Sequence, residues 1–141
     1  MLFRSADLPN LFEADRNAFG AERRELLEWL FAGAPEYAWL IERDGKVAGY
    51  AFGRHGFHFE HLGPVIAEDV EVAKQLVRAV LAKNVGKTFI LDATQHDEEW
   101  TRWLTSVGFR EARPFIRMFR GSGDRPQVSK QQFAILGPEF G

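Results

Sequence analysis

The chain has 141 residues, 45% of them hydrophobic and 27% charged, with 18 basic residues against 20 acidic ones and a formal net charge of -2. That is the usual size of a single domain, expected here over 1–141 and able to bury a real core, and it lacks the basic field that draws a protein to nucleic acid or an anionic membrane. No cysteine is present, which removes disulfides, thiolate nucleophiles and Cys-type zinc sites and makes the cytoplasm the expected setting.

The opening Met1-Leu2-Phe3-Arg4-Ser5-Ala6-Asp7 reaches charge well short of a signal-peptide apolar region or the roughly 20 apolar residues of a membrane span. Leu2 to Ala6 reads as a short strand, and Asp7-Leu8-Pro9 as a capped helix start. Leu8, Leu11, Phe12 and Phe19 give that helix its apolar face. Gly20 breaks the pattern, and Leu26, Leu27, Leu30 and Phe31 resume it at helical spacing until Gly33 and Pro35. Tyr37 to Glu42 and Lys46 to Arg54 alternate like strands around an Asp44-Gly45 turn, a β-hairpin. After His55-Gly56, Phe57 to Ala67 reads as a third strand of the meander, in which Gly63-Pro64 stops pairing or forces a bulge, because proline lacks the ladder N–H.

Asp69 is placed to cap a helix carrying Val72, Ala73, Leu76, Val77 and Val80 on one face, ending at Lys83-Asn84. Thr88 to Ala93 is a compact apolar run of the kind buried on both faces, so strand, helix and strand imply a parallel pair with a right-handed crossover. Asp97 caps a further helix with Trp100, Trp103, Leu104 and Val107 on one side and Gly108 at its end. Phe109 to Arg120 and Gln132 to Leu136 read as two last strands around the loop Gly121 to Gln127. The tryptophans Trp29, Trp39, Trp100 and Trp103 sit at core spacing. No repeat or low-complexity segment occurs.

The order is strand, helix, helix, three meandering strands, helix, strand, helix, strand, strand: an α/β (α+β) chain with a mixed central sheet. At this length it resembles the GNAT superfamily of acyl-CoA-dependent N-acyltransferases. Leu62-Gly63-Pro64-Val65-Ile66-Ala67-Glu68-Asp69, Arg113-Pro114-Phe115-Ile116-Arg117-Met118 and the ending Phe133 to Gly141 are similar to the C-terminal domain of YitH-type acetyltransferases, which commonly follows a more regular GNAT domain. The resemblance implies acetyl-CoA as co-substrate and a small amine as acceptor. The cofactor would lie where the strand Phe57 to Ala67 splays from Thr88 to Thr94. Its pantetheine would bond the backbone of Leu62, Gly63, Pro64, Val65 and Ile66, and its pyrophosphate would meet the helix N-terminus near Asp69, where free N–H groups favour an anion.

Two features depart from that pattern. Most of the superfamily has a Q/R-x-x-G-x-G/A loop whose glycines let backbone N–H groups approach the pyrophosphate. Here Ile66-Ala67-Glu68-Asp69-Val70-Glu71 brings three carboxylates and no glycine, which suits helix capping and repels a phosphate. The family's general-acid tyrosine, about four residues before the last helix's Gly-Phe, falls on Leu104, which has no proton to give. The alternative reading is a degenerate, non-catalytic GNAT domain kept as a ligand-binding or protein-interaction module.

Three of four histidines cluster at His55, His58 and His61. On a strand, His58 and Glu60 share a face and His61 points away, so no zinc-like set of three or four ligands converges and no metal is expected. Glu60 with His58 is the candidate general base and partner, against plain solvent contact as the other reading. Arg117 suits an acidic substrate group, the CoA 3′-phosphate or a structural pair with a glutamate, and Trp103 is a candidate pocket residue. The apolar stretch Phe133 to Phe140 allows pairing in a homodimer.

Overall fold

The computed structural model describes residues 1–118, 120–121 and 129–140. Helices α1 (Leu8–Phe19) and α2 (Arg24–Gly33) precede the strands β1 (Trp39–Arg43), β2 (Lys46–Arg54) and β3 (Glu60–Ala67). Then come α3 (Val70–Lys83), β4 (Phe89–Ala93), α4 (Glu98–Ser106) and β5 (Gln132–Ile135). The sheet is mixed and carries helices on both faces. Phe3, Leu11, Leu27, Leu30, Tyr50, Phe52, Ile66 and Leu136 are buried under α1 and α2. Leu62, Val65, Ala67, Leu76, Val77, Trp100, Leu104 and Phe133 are buried under α3 and α4.

Local chemistry explains most of these elements. Gly20 ends α1 in the left-handed conformation, φ 90, with its N–H on the Arg16 carbonyl, as glycine permits without a Cβ penalty. Asp44 and Gly45 both have positive φ, the requirement of a two-residue turn between twisted strands. Asp69 accepts a hydrogen bond from the Val72 N–H at 2.8 Å and Asp97 one from the Trp100 N–H at 3.0 Å, caps that contribute about 1 kcal/mol each. Asp7 does not cap α1: its carboxylate accepts from the Arg4 N–H at 2.7 Å, inside a short 3-10 turn over Ser5–Asp7.

The expected strand from Leu2 to Ala6 is reduced to one bridge, Leu2 to Trp39. The third strand begins at Glu60 rather than Phe57. Trp29 is 54% exposed, unlike the fully buried Trp100. Gly63 and Pro64 form the bulge their chemistry requires: Ala51 pairs with Val65 and Gly53 with Leu62, so two steps along β2 match three along β3.

β3 and β4 are parallel, as the strand-helix-strand reading requires, and pair only over Glu60–Phe89, His61–Ile90 and Leu62–Leu91. Past Leu62 they part, and β5 enters between them. Ala134 is the antiparallel partner of Val65 on one side and of Ala93 on the other. β4 is not buried on both faces: Ile90 is 36% exposed, and no β4 residue joins the apolar cluster under α1 and α2. Residues 109–118 form no strand, while Phe119 and most of the expected loop, residues 122–127, lie outside the described residues. Among the described residues no helix is long and apolar enough to cross a membrane.

Candidate functional site

Glu60 opens β3 inside a chain of polar groups. Its Oε2 accepts from the Tyr37 hydroxyl at 2.8 Å and lies 2.7 Å from His55 Nδ1. Lys87 Nζ donates to the same Tyr37 hydroxyl at 2.8 Å, and His55 Nε2 stands 3.0 Å from Glu36. Burial works to raise the Glu60 carboxyl, but the hydrogen bonds from Tyr37 and His55 and the nearby positive charges outweigh it and hold the carboxyl below its ordinary range. The expected partner His58 is not on the strand: it is exposed in the segment preceding β3, and His55 takes its place. A carboxylate held down by two donors is a stabilising anchor and a weak proton acceptor.

A carboxyl depressed in the folded state contributes stability above its unfolded pKa, 4.5 for an ordinary glutamate, and loses it as the pH falls through the lower folded value. Glu60→Gln should therefore narrow its stability gap to the native chain as acid unfolding is approached. Urea titrations from neutral pH downward measure this, and a constant gap would refute it.

The bond edge of β3 expected to hold pantetheine is already used. Val65 and Ile66 pair with Ala134 and Gln132, and the Ala67 N–H donates to the Gln131 carbonyl at 2.9 Å. Leu62 and Val65 are core residues, and a Cβ on Gly63 would collide with the Ile135 carbonyl. On the far side of the wedge, the Thr94 hydroxyl donates to the Gln132 carbonyl at 2.6 Å and its N–H to Phe133 at 3.0 Å. At the α3 N-terminus Asp69 takes the Val72 N–H, and Arg43 bridges Glu68 and Asp69 at 2.6 and 2.8 Å. The cap and Arg43 pull the Asp69 carboxyl below its usual range, so a negative charge stands where a pyrophosphate would go. These residues do not fit acetyl-CoA in the grip the resemblance implies.

The remaining candidates are scattered. Trp103 stacks on Trp100 with centroids 5.5 Å apart and carries Arg78 over its ring at 5.2 Å, so it packs α4 onto α3. Leu104 is a buried core residue. Arg117 is exposed and lines a cavity of about 590 Å³ with Thr94, His96 and Gln132. Phe133, Ala134 and Leu136, which suggest a dimer contact in the sequence, are buried in the chain's own interior.

Sequence reasoning missed a cavity of about 750 Å³ along β4, lined by Arg54, His61, Asp92, Arg113, Phe109 and Glu139 among others. Burial raises the Asp92 carboxyl against the nearby His61 and Arg54 charges. Arg54 donates to Glu139 at 2.7 Å through Nη2, and its buried Nε has no partner among the described residues. The signal available was a lone aspartate in the apolar run Phe89-Ile90-Leu91-Asp92-Ala93. Among the described residues no three His, Asp or Glu side chains are grouped to hold a metal ion.

Helices on both faces of the sheet, a bulged third strand and a parallel β3–α3–β4 unit make a recognisable frame, and the sequence pattern of the acetyltransferase (GNAT) domain matches residues 11–134. The chain belongs to the GNAT acetyltransferase family. Among its relatives, the uncharacterized N-acetyltransferase YitH of Bacillus subtilis is 31% identical over 94 residues, covering 67% of this chain and 33% of that protein. Holothin acyltransferase of a Pseudoalteromonas species is 27% identical over 136 residues, 96% of this chain and 46% of the relative. The chain thus spans a third to a half of the length of these curated relatives. The crystal structure of TTHA1254 from Thermus thermophilus shares the fold, with TM-score 0.62 at 20% identity over 89% of this chain and 98% of that one. Within this shared fold, β5 pairs with both β3 and β4 where the resemblance would place the cofactor.

Proposed function

We propose that this chain serves N-acetyl transfer to a small amine, with acetyl-CoA as the family's acyl donor, and that its contribution lies on the acceptor side. The observation that carries this reading is the family match over residues 11–134, which includes both walls of the β4 cavity up to Phe115. Asp92 is the proposed proton acceptor for the amine. A carboxyl raised by burial is better matched to removing a proton near neutral pH than Glu60, whose carboxyl is lowered. Arg54 and Arg113 would hold an anionic part of the acceptor, and Glu60 would anchor β3 through Tyr37 and His55. A second GNAT domain in the same protein is the proposed partner, in keeping with the greater length of the relatives.

The second reading, a domain retained for binding without catalysis, is favoured by one observation: β5 fills the wedge. An assay separates the two. Thiol release from acetyl-CoA can be followed colorimetrically without background, because the chain has no cysteine, over a panel of primary amines and amino acids. Turnover that falls about 10²–10⁴-fold in Asp92→Asn and much less in Glu60→Gln supports the acceptor-side reading. Absence of turnover with every amine means that the chain is not catalytic by itself.

A further inference from the structure

The cofactor wedge of this GNAT domain has become a socket for a peptide strand. We infer that residues 132–135 of the chain occupy it permanently in the folded protein, so that acetyl-CoA is not gripped along β3 and an acyl donor must be held elsewhere. The inference deepens the proposed function by saying where the donor is not, and it rests on that reading only for the word donor.

Several independent contacts define the socket. One wall is the backbone of β3, whose Val65 and Ile66 are paired and whose Ala67 N–H reaches Gln131. The other wall is β4 and Thr94, with the Thr94 N–H and hydroxyl on the Phe133 and Gln132 carbonyls. A third donor, Trp100 Nε1 on α4, meets the Phe133 carbonyl at 2.9 Å. Gly63 sits where the Ile135 carbonyl crosses β3, leaving no room for a side chain. Phe133 and Ala134 are buried, and Phe133 stands edge-on to Trp100 at 5.3 Å.

The paired edge of β3 at Val65, Ile66 and Ala67 is the backbone that the family's pantetheine grip would require. A β-ladder and an extended pantetheine both consume the free N–H and C=O groups of one strand edge, so they exclude each other. The phosphate end agrees: the α3 N-terminus is capped by its own Asp69, and Arg43 is neutralised by Glu68 and Asp69. The carboxylates at the α3 N-terminus and the filled wedge therefore act against the same ligand. A strand needs no pyrophosphate cradle.

Hydrogen exchange and calorimetry on the full chain test this, with acetyl-CoA as the probe. The Ala67 and Thr94 amides, which point at residues 131 and 133, should exchange about a hundredfold or more slower than free amides, and millimolar acetyl-CoA should neither change that nor give saturable heat. In Ala134→Lys, both amides should lose protection, while those of the β1–β2 hairpin keep it as the record of a folded chain. If that variant unfolds, the hairpin amides report it and the native titration decides alone. Saturable acetyl-CoA binding that deprotects Ala67 and Thr94 would overturn the inference, making β5 a displaceable gate. So would free exchange at both amides in the native chain. Turnover with both amides still protected leaves inference and function standing; turnover with both opened defeats the inference alone. Protection without turnover keeps the inference and defeats catalysis by this chain.

Discussion

Replacing Asp15 by alanine is expected to destabilise the chain by about 3–5 kcal/mol, the usual consequence of leaving one partner of a buried ion pair alone. Asp15 is 1% exposed and Arg23 9%. The carboxylate accepts from Arg23 Nε at 2.9 Å and Nη2 at 2.7 Å, and the buried Tyr50 hydroxyl also donates to it. Arg23 lies over the Phe19 ring at 3.8 Å with its side chain only 6% exposed, so its charge stays largely desolvated when Asp15 is removed. The pair ties the end of α1 and the start of α2 to β2, across the face opposite α3. Equilibrium urea unfolding measures the loss. A value under about 1 kcal/mol, the worth of a surface pair, would mean that water reaches Arg23. Tyr50→Phe should cost less, since it removes one donor from a carboxylate that keeps two.

Trp100→Ala is the second large effect, also about 3–5 kcal/mol, from the cavity left by a fully buried indole. Trp100→Phe separates packing from hydrogen bonding. The Phe133 carbonyl that loses Nε1 still receives the Thr94 N–H at 3.0 Å, so the missing bond should cost only about 0.5–1.5 kcal/mol. If Trp100→Phe equals Trp100→Ala in urea unfolding, the tryptophan matters for its N–H and not for its volume. Hydrogen exchange should show the damage of the alanine variant first in residues 132–135, because Phe133 loses its edge-on partner.

What the sequence discloses here is what neighbouring residues decide among themselves. Asp69 and Asp97 cap because their targets are three residues away, and Asp44-Gly45 turns because two consecutive residues accept positive φ. The Gly63-Pro64 bulge follows from one missing N–H. The same logic fails where distant partners decide. Phe109 to Arg120 has strand-like residues, yet 109–118 form no strand. Alternation assigns His58 to a strand face, but β3 starts only at Glu60, where pairing with β4 begins. Trp29 has helical spacing on the wrong side of α2. Asp92 gains its interest only because β4 is partly uncovered, and nothing local to residues 132–135 names the two strands between which they lie.

The pairing of Ala134 with both Val65 and Ala93 also sets an order of assembly. The first three strands can close on α1, α2 and α3 as soon as they leave the ribosome, but the second half of β3 must wait until α3, β4, α4 and the segment after them have been made. Until then a strand edge rich in Val and Ile stays open to other chains, a hazard of late, non-local pairing. Aggregation during synthesis, rather than loss of equilibrium stability alone, is therefore the failure to look for in variants that weaken the hold on β5.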